Sequence, residues 1–84
     1  MASQEIKIVN EAGIHARPAS MLVLLANKFK EDINIVKNGR EINAKSIMGI
    51  MSLGVSCGDT LEIISDNNDA VEQLVELIGS GFGE

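Results

Sequence analysis

The chain has no tryptophan and no tyrosine, and its aromatic residues are two phenylalanines. Proteins that hold single-stranded nucleic acid stack bases on aromatic side chains, and those that bind duplexes gather Lys and Arg along the phosphate backbone. Neither device is present: seven Lys and Arg are scattered among twelve Asp and Glu, for a net charge of −5. Nucleic acid is therefore not an expected partner. The only cysteine, Cys57, cannot close an intramolecular disulfide, and with a single histidine beside it no metal-ligand cluster is recognisable. These absences suit a reduced, cytoplasmic protein with neither metal nor other cofactor, in which Cys57 is a small turn residue rather than a redox centre. Met1-Ala2-Ser3-Gln4-Glu5 has neither the charged nor the apolar stretch of a secretory leader, and the longest apolar run, Met21 to Ala26, is far short of a membrane span. Neither secretion nor membrane insertion is expected.

What the chain does have is aliphatic. Hydrophobic residues make up 45% of the sequence, so Ile, Leu, Val and Met must build the core of a folded domain. At 84 residues, a single domain over 1–84 is expected to bury only ~60–65% of its unfolded surface, too little for a deep, closed active site.

Periodicity orders the elements. Ile6 and Ile8 alternate with Glu5 and Lys7 as in a half-buried strand, until Asn10-Glu11-Ala12-Gly13 breaks the pattern. Leu22, Leu25, Ala26 and Phe29 then trace a helical stripe to about Lys28. Ile33 and Ile35 begin a second strand, Asn38-Gly39 is a strong hairpin signal, and Arg40 to Ala44 returns. Ser46 precedes a short apolar helix ended by Gly54, and Leu61, Ile63 and Ser65 form a fourth strand. Asp69 and Glu72 resemble a capping box, with Val71, Leu74, Val75, Ile78 and Phe82 on the inner stripe of a last helix and a Gly-rich tail fraying beyond it. The order β-α-β-β-α-β-α predicts an α+β fold, an open-faced β-sandwich in which a four-stranded antiparallel sheet carries three helices on one face.

The only histidine stands where the first helix begins. Pro18, the only proline, has the fixed φ that suits a first helical turn, so Ala16-Arg17-Pro18 is the helix entrance. Unpaired amides there carry roughly +0.5 charge, and Arg17 adds a forked cation matched to phosphate oxygens. A nucleophilic imidazole beside an anion cradle points to phosphate carried on His15; the alternative is a polar residue near a helix end beside a solvated arginine.

Two segments, Gly13-Ile14-His15-Ala16-Arg17-Pro18-Ala19 and Lys45-Ser46-Ile47-Met48-Gly49-Ile50-Met51-Ser52-Leu53-Gly54, at this separation and in this element order, resemble the HPr family of the bacterial phosphoenolpyruvate-dependent sugar phosphotransferase system, in its Gram-positive form. The resemblance covers essentially the whole chain. It implies a phosphocarrier rather than an enzyme. His15 would take phosphate from enzyme I, on Nδ1, and pass it to sugar-specific enzyme IIA proteins. Ala16, Arg17 and Pro18 would line the phosphate site. It also implies that Ser46 is phosphorylated by a dedicated serine kinase/phosphorylase, and that a transcriptional regulator binds that form. By its residues alone Ser46 is a helix N-cap, and the two roles are compatible, because a helix N-terminus accommodates a phosphoserine. Outward Ile47, Met48 and Met51 form a docking surface in this reading, extended by Ser20, Leu24 and Asn27 on the first helix. Apolar Leu24, and Cys57 before Gly58, depart from the family pattern and bear on partner preference. The nitrogen-related branch of the phosphotransferase systems, and a regulatory module with an idle His15, are the alternatives.

Overall fold

Alternating side chains and one tight turn set the sheet. The structure, a computed structural model, describes residues 2–83. Strands β1 (Ala2–Lys7), β2 (Ile33–Lys37), β3 (Arg40–Asn43) and β4 (Thr60–Ser65) form one antiparallel sheet in the order β1-β4-β2-β3. The β2–β3 turn is Asn38-Gly39 with φ of 53° and 81°, the paired positive values of a turn whose twist matches its strands. Register places Ile35 opposite both Ile42 and Ile63, and Leu61 opposite Ile6. These residues belong to the core side of the sheet.

Three helices cover that side: α1 (Ala16–Ala26), α2 (Ile47–Ser52) and α3 (Asn68–Gly79). Helix α1 buries Pro18, Ala19, Leu22 and Ala26, α3 buries Ala70, Val71, Leu74 and Ile78, and α2 contributes Ile50. All but Pro18 join Ile33, Ile35, Leu61 and Ile63 in one aliphatic core. The α+β open sandwich expected from the periodicities is the observed fold. No helix among the described residues is long and apolar enough to cross a membrane.

Four local expectations are corrected. Helix α1 stops at Ala26, short of Lys28: Asn27 caps it, and the N–H groups of Lys28 and Phe29 reach back to Leu25 and Ala26 in tightened turns. Phe29 therefore packs against the core from a turn rather than from the helical stripe. Strand β3 ends at Asn43, although the Ala44 N–H still donates to the Ile33 carbonyl at 2.8 Å.

The α3 cap is Asn67, two residues before the expected Asp69 box. Its Oδ1 accepts from the Ala70 N–H at 3.1 Å, while its own N–H donates to Ser65 Oγ at 3.1 Å and its Nδ2 to Glu31 at 3.0 Å. Ser65 Oγ donates in turn to the Asp32 carbonyl at 2.8 Å, which fixes where Asn67 meets the helix. Asp69 falls inside the first turn, where the dipole still favours a carboxylate. Finally, the tail as far as Gly83 does not fray after the helix, and Glu84 lies outside the described residues. Phe82 leaves α3, lies in a closing 3-10 turn (Gly81–Gly83) and is only 1% exposed, the largest fully buried side chain.

The loop from α2 to β4 is clasped from the hairpin. Lys37 Nζ, at the end of β2, donates to the carbonyls of Leu53 at 3.3 Å and Gly54 at 3.0 Å and pairs with Asp59 at 3.1 Å. Arg40 donates to the Ser52 carbonyl at 2.9 Å and to its hydroxyl at 3.2 Å. The carbonyl end of α2 thus receives two cations, the sign its dipole favours. Asp59 also accepts from the Ser56 N–H at 2.8 Å; that bond first, and Lys37 second, hold its carboxyl below the ordinary 3.8. Glu31 is likewise held below its ordinary 4.5, chiefly by the Asn67 amide.

Asn67→Ala should cost about 1 kcal/mol of stability by removing the cap, which lowers the thermal midpoint by roughly 4–8 °C in a domain of this size. Asp69→Ala should cost less. Equal losses in thermal unfolding by circular dichroism would return the cap to Asp69.

A carboxylate whose folded pKa lies below 3.8 stabilises the fold fully above that pH, and its contribution fades as pH falls through the lower folded value. Asp59→Asn should therefore be less stable than the parent at pH 7. The gap should close in denaturant titrations carried progressively below pH 3.8; a gap independent of pH would remove the ion pair from the account.

Candidate functional site

His15 is delivered to the surface by a loop that rests on the clasped segment. After β1 the chain continues in pairing: Ile8 donates to the Asp59 carbonyl at 2.8 Å and accepts from the Gly58 N–H at 2.9 Å. Asn10 then closes a turn, its carbonyl accepting from the Gly13 N–H at 3.0 Å and its side-chain amide donating to the Gly13 carbonyl. Gly13 has φ 67°, and a Cβ there would collide with the Val55 carbonyl oxygen and lie 2.9 Å from Ser56 Cα. Only glycine satisfies both the conformation and the close approach. The next residue, Ile14, is buried and donates its N–H to that same Val55 carbonyl at 3.2 Å.

The following residue is His15, the N-cap of α1, in extended conformation with an exposed side chain. Its carbonyl accepts from the Ala19 N–H at 3.0 Å and closes the first helical turn, while its imidazole makes no capping bond to the helix. Ala16 and Arg17 are exposed and Pro18 is buried, so the proline anchors the helix start while the two residues before it face solvent. The first turn contains no acidic residue. A helix N-terminus that carries an exposed histidine, an exposed arginine two residues on and no carboxylate can receive an anion without losing core packing.

Ser46 holds the equivalent place on α2. It is exposed, and its Oγ accepts from the Gly49 N–H at 3.0 Å, so it is the N-cap that its place before the apolar run predicts. Helices α1 and α2 pack against each other. Large apolar side chains turned to solvent gather on them: Leu24 is 69% exposed, Met48 79%, Met51 45% and Ile47 41%. Ser20 is half-buried and Asn27 exposed on α1. Ser46, Ile47, Met48 and Met51 thus share one short helix, and His15, Ser20, Leu24 and Asn27 lie on or beside its neighbour.

Sequence reasoning gives no part in the site to three residues around this loop, and reads Asp59 among them only as a turn residue before β4. Val9 is exposed, and the outward parity of Glu5 and Lys7 was its signal. Lys37 follows Ile33 and Ile35 on the inward parity of β2, an unusual place for a lysine. Asp59 is the third; nothing local to it announces the partner twenty-two positions away. Cys57 is exposed, its sulfur 3.8 Å from the Val9 carbonyl.

Comparison with known proteins places the chain in a family. Residues 2–80 match the family described as "PTS HPr component phosphorylation site". The HPr-like protein Crh of Halalkalibacterium halodurans is 41% identical over 78 residues, spanning 93% of each chain. The crystal structure of HPr-C-His from Thermoanaerobacter tengcongensis is 47% identical with a TM-score of 0.93, over 100% of this chain and 98% of that one. HPr from Bacillus anthracis is 39% identical with a TM-score of 0.85, over 92% and 95%. The chain belongs to the HPr family of the phosphotransferase system, whose members carry phosphoryl groups rather than catalyse a reaction of their own.

Proposed function

We propose that residues 1–84 are a single cytoplasmic carrier domain that receives a phosphoryl group on His15 from enzyme I and hands it to sugar-specific enzyme IIA proteins. The observation that carries this reading is the exposed imidazole at the N-terminus of α1, set by Gly13 and Ile14 against the Val55 carbonyl. An unprotonated ring nitrogen attacks phosphorus, the bond from phosphorus to the donor breaks, and the transferred oxygens meet the first-turn amides and Arg17. Onward transfer reverses the roles: the nitrogen leaves as the acceptor attacks. A shallow site suits a group that must be reached by several larger partners.

Ser46 is the regulatory site in this proposal, modified by a serine kinase/phosphorylase and read in that form by a transcriptional regulator. Its hydroxyl already caps α2, and a phosphate there adds about −1.5 to −2 charge at an end that favours anions. The same charge stands beside Ile47, Met48 and Met51, where a docked partner excludes water. Likeness to an HPr-like protein as well as to HPr itself favours one second reading, in which Ser46 alone is modified and His15 transfers nothing.

Incubation with enzyme I, magnesium and phosphoenolpyruvate separates the two readings. Intact-mass measurement should show one added phosphoryl group, labile in acid, persistent in base and absent from His15→Ala. Arg17→Ala should stay folded and take phosphate at least about tenfold more slowly, since a hydrogen bond to a charged group is worth about 1.5–3 kcal/mol. An acid-stable adduct, or none, would end the carrier reading.

Ser46→Asp should unfold at or slightly above the parent midpoint, yet take phosphate much more slowly at low enzyme I and recover as enzyme I is raised. Parent-like rates at low enzyme I would leave Ser46 as a helix cap only.

A further inference from the structure

We infer that Lys37 is a positioning residue for phosphoryl transfer: with Asp59, its ammonium fixes the Val55 carbonyl from which the His15 loop is hung. This rests on His15 being the phosphate acceptor. Val55 lies between two points that the ammonium controls. On one side are the Leu53 and Gly54 carbonyls, 3.3 and 3.0 Å from Lys37 Nζ. On the other is Ser56, whose N–H donates at 2.8 Å to the Asp59 oxygen that Lys37 pairs with at 3.1 Å. The residue so bracketed is 6% exposed, and its carbonyl takes the Ile14 N–H at 3.2 Å. That carbonyl also forms the wall against which Gly13 closes. His15 follows Ile14 directly, so any displacement of the Val55 carbonyl passes to the backbone of the acceptor.

The geometry also separates this role from a general cap on α2. Arg40 holds the Ser52 carbonyl and hydroxyl without Lys37, so the helix keeps one cation when the lysine is removed. Lys37 reaches further along the chain, to the residues flanking Val55. Its side chain is only 16% exposed, and Asp59 is 32% exposed, so the pair is partly shielded from solvent. Misplacement of reacting groups by about 1 Å can cost on the order of 100-fold in rate, so a partial loosening of this loop is expected to cost about tenfold.

The test is single-turnover phosphorylation by enzyme I over a range of enzyme I concentrations, alongside hydrogen exchange at the Ile14 amide. Lys37→Met keeps the aliphatic stem and removes the charge. It should fold, exchange the Ile14 amide faster, and lose about tenfold in the rate at saturating enzyme I, while the half-saturating concentration stays within about twofold of the parent. Lys37→Arg should recover most of the rate. Asp59→Asn releases the Ser56 side of the clasp and should also slow transfer; it carries the test alone if Lys37→Met proves unfolded. The two neutralisations change net charge in opposite directions. A simple field effect on the incoming phosphate would move their rates oppositely, whereas lost positioning slows both.

Parent protein that takes no phosphate on His15 would overturn the acceptor reading itself. Parent protein that is phosphorylated normally, with Lys37→Met or Asp59→Asn matching its saturated rate, would overturn the positioning role alone. So would opposite rate changes in the two variants, or a defect confined to the half-saturating concentration.

Discussion

One backbone contact governs where the His15 loop sits: the Val55 carbonyl, accepting from the Ile14 N–H and walled by Gly13. The contact depends on the sheet. Ile8 continues the β1–β4 pairing past the end of β1, bonding Asp59 and Gly58, and so fixes the start of the His15 loop relative to the segment that ends at Asp59. The register beneath it pairs Ile6 with Leu61. A slip of one residue would turn Ile6 and Ile8 to solvent and bring Lys7 inward, so the burial of two isoleucines also sets the position of the loop.

The thin aliphatic core explains why the site lies outside. With no tryptophan or tyrosine to fill volume, the core is made of Ile, Leu, Val and Ala together with Phe82. A chain of this size buries too small a fraction of its surface for a deep, closed site. What it offers instead is helix ends. Both candidate phosphorylation positions, His15 and Ser46, are N-cap residues of neighbouring helices, where backbone donors face solvent without cost to packing.

The elements were readable in the sequence wherever one periodicity dominated. Ile33 and Ile35, the Asn38-Gly39 turn, and the stripe through Val71, Leu74 and Ile78 each had one sensible reading. The misses came where two local readings were available and a distant contact chose between them. Asn67 and Asp69 can both cap a helix; the bond from Ser65 to the Asp32 carbonyl, thirty-three positions apart, selects Asn67. The glycines around Phe82 suggest a loose tail, yet they are also what lets the chain turn a phenyl ring into the core. In the site, the motif residues announced their places through helix-start chemistry, which is local. The Lys37 clasp did not, because its bonds span sixteen to twenty-two positions, and only the inward parity of the lysine hinted at it.

The molecule therefore divides its work between two sides of the His15 loop. On one side, α1 and α2 present Leu24, Met48 and Met51, which contribute no fully buried side chain to the core. On the other, Gly13, Ile14, Val55 and the Lys37–Asp59 pair hold the His15 loop in place through backbone contacts and one ion pair. Exposed apolar residues can be exchanged at little cost to folding, so substitutions at Leu24, Met48 and Met51 should leave the fold intact. The second side is constrained by steric fit at Gly13 and by the bonds around Val55, so the backbone of His15 keeps its setting when the exposed apolar residues are exchanged.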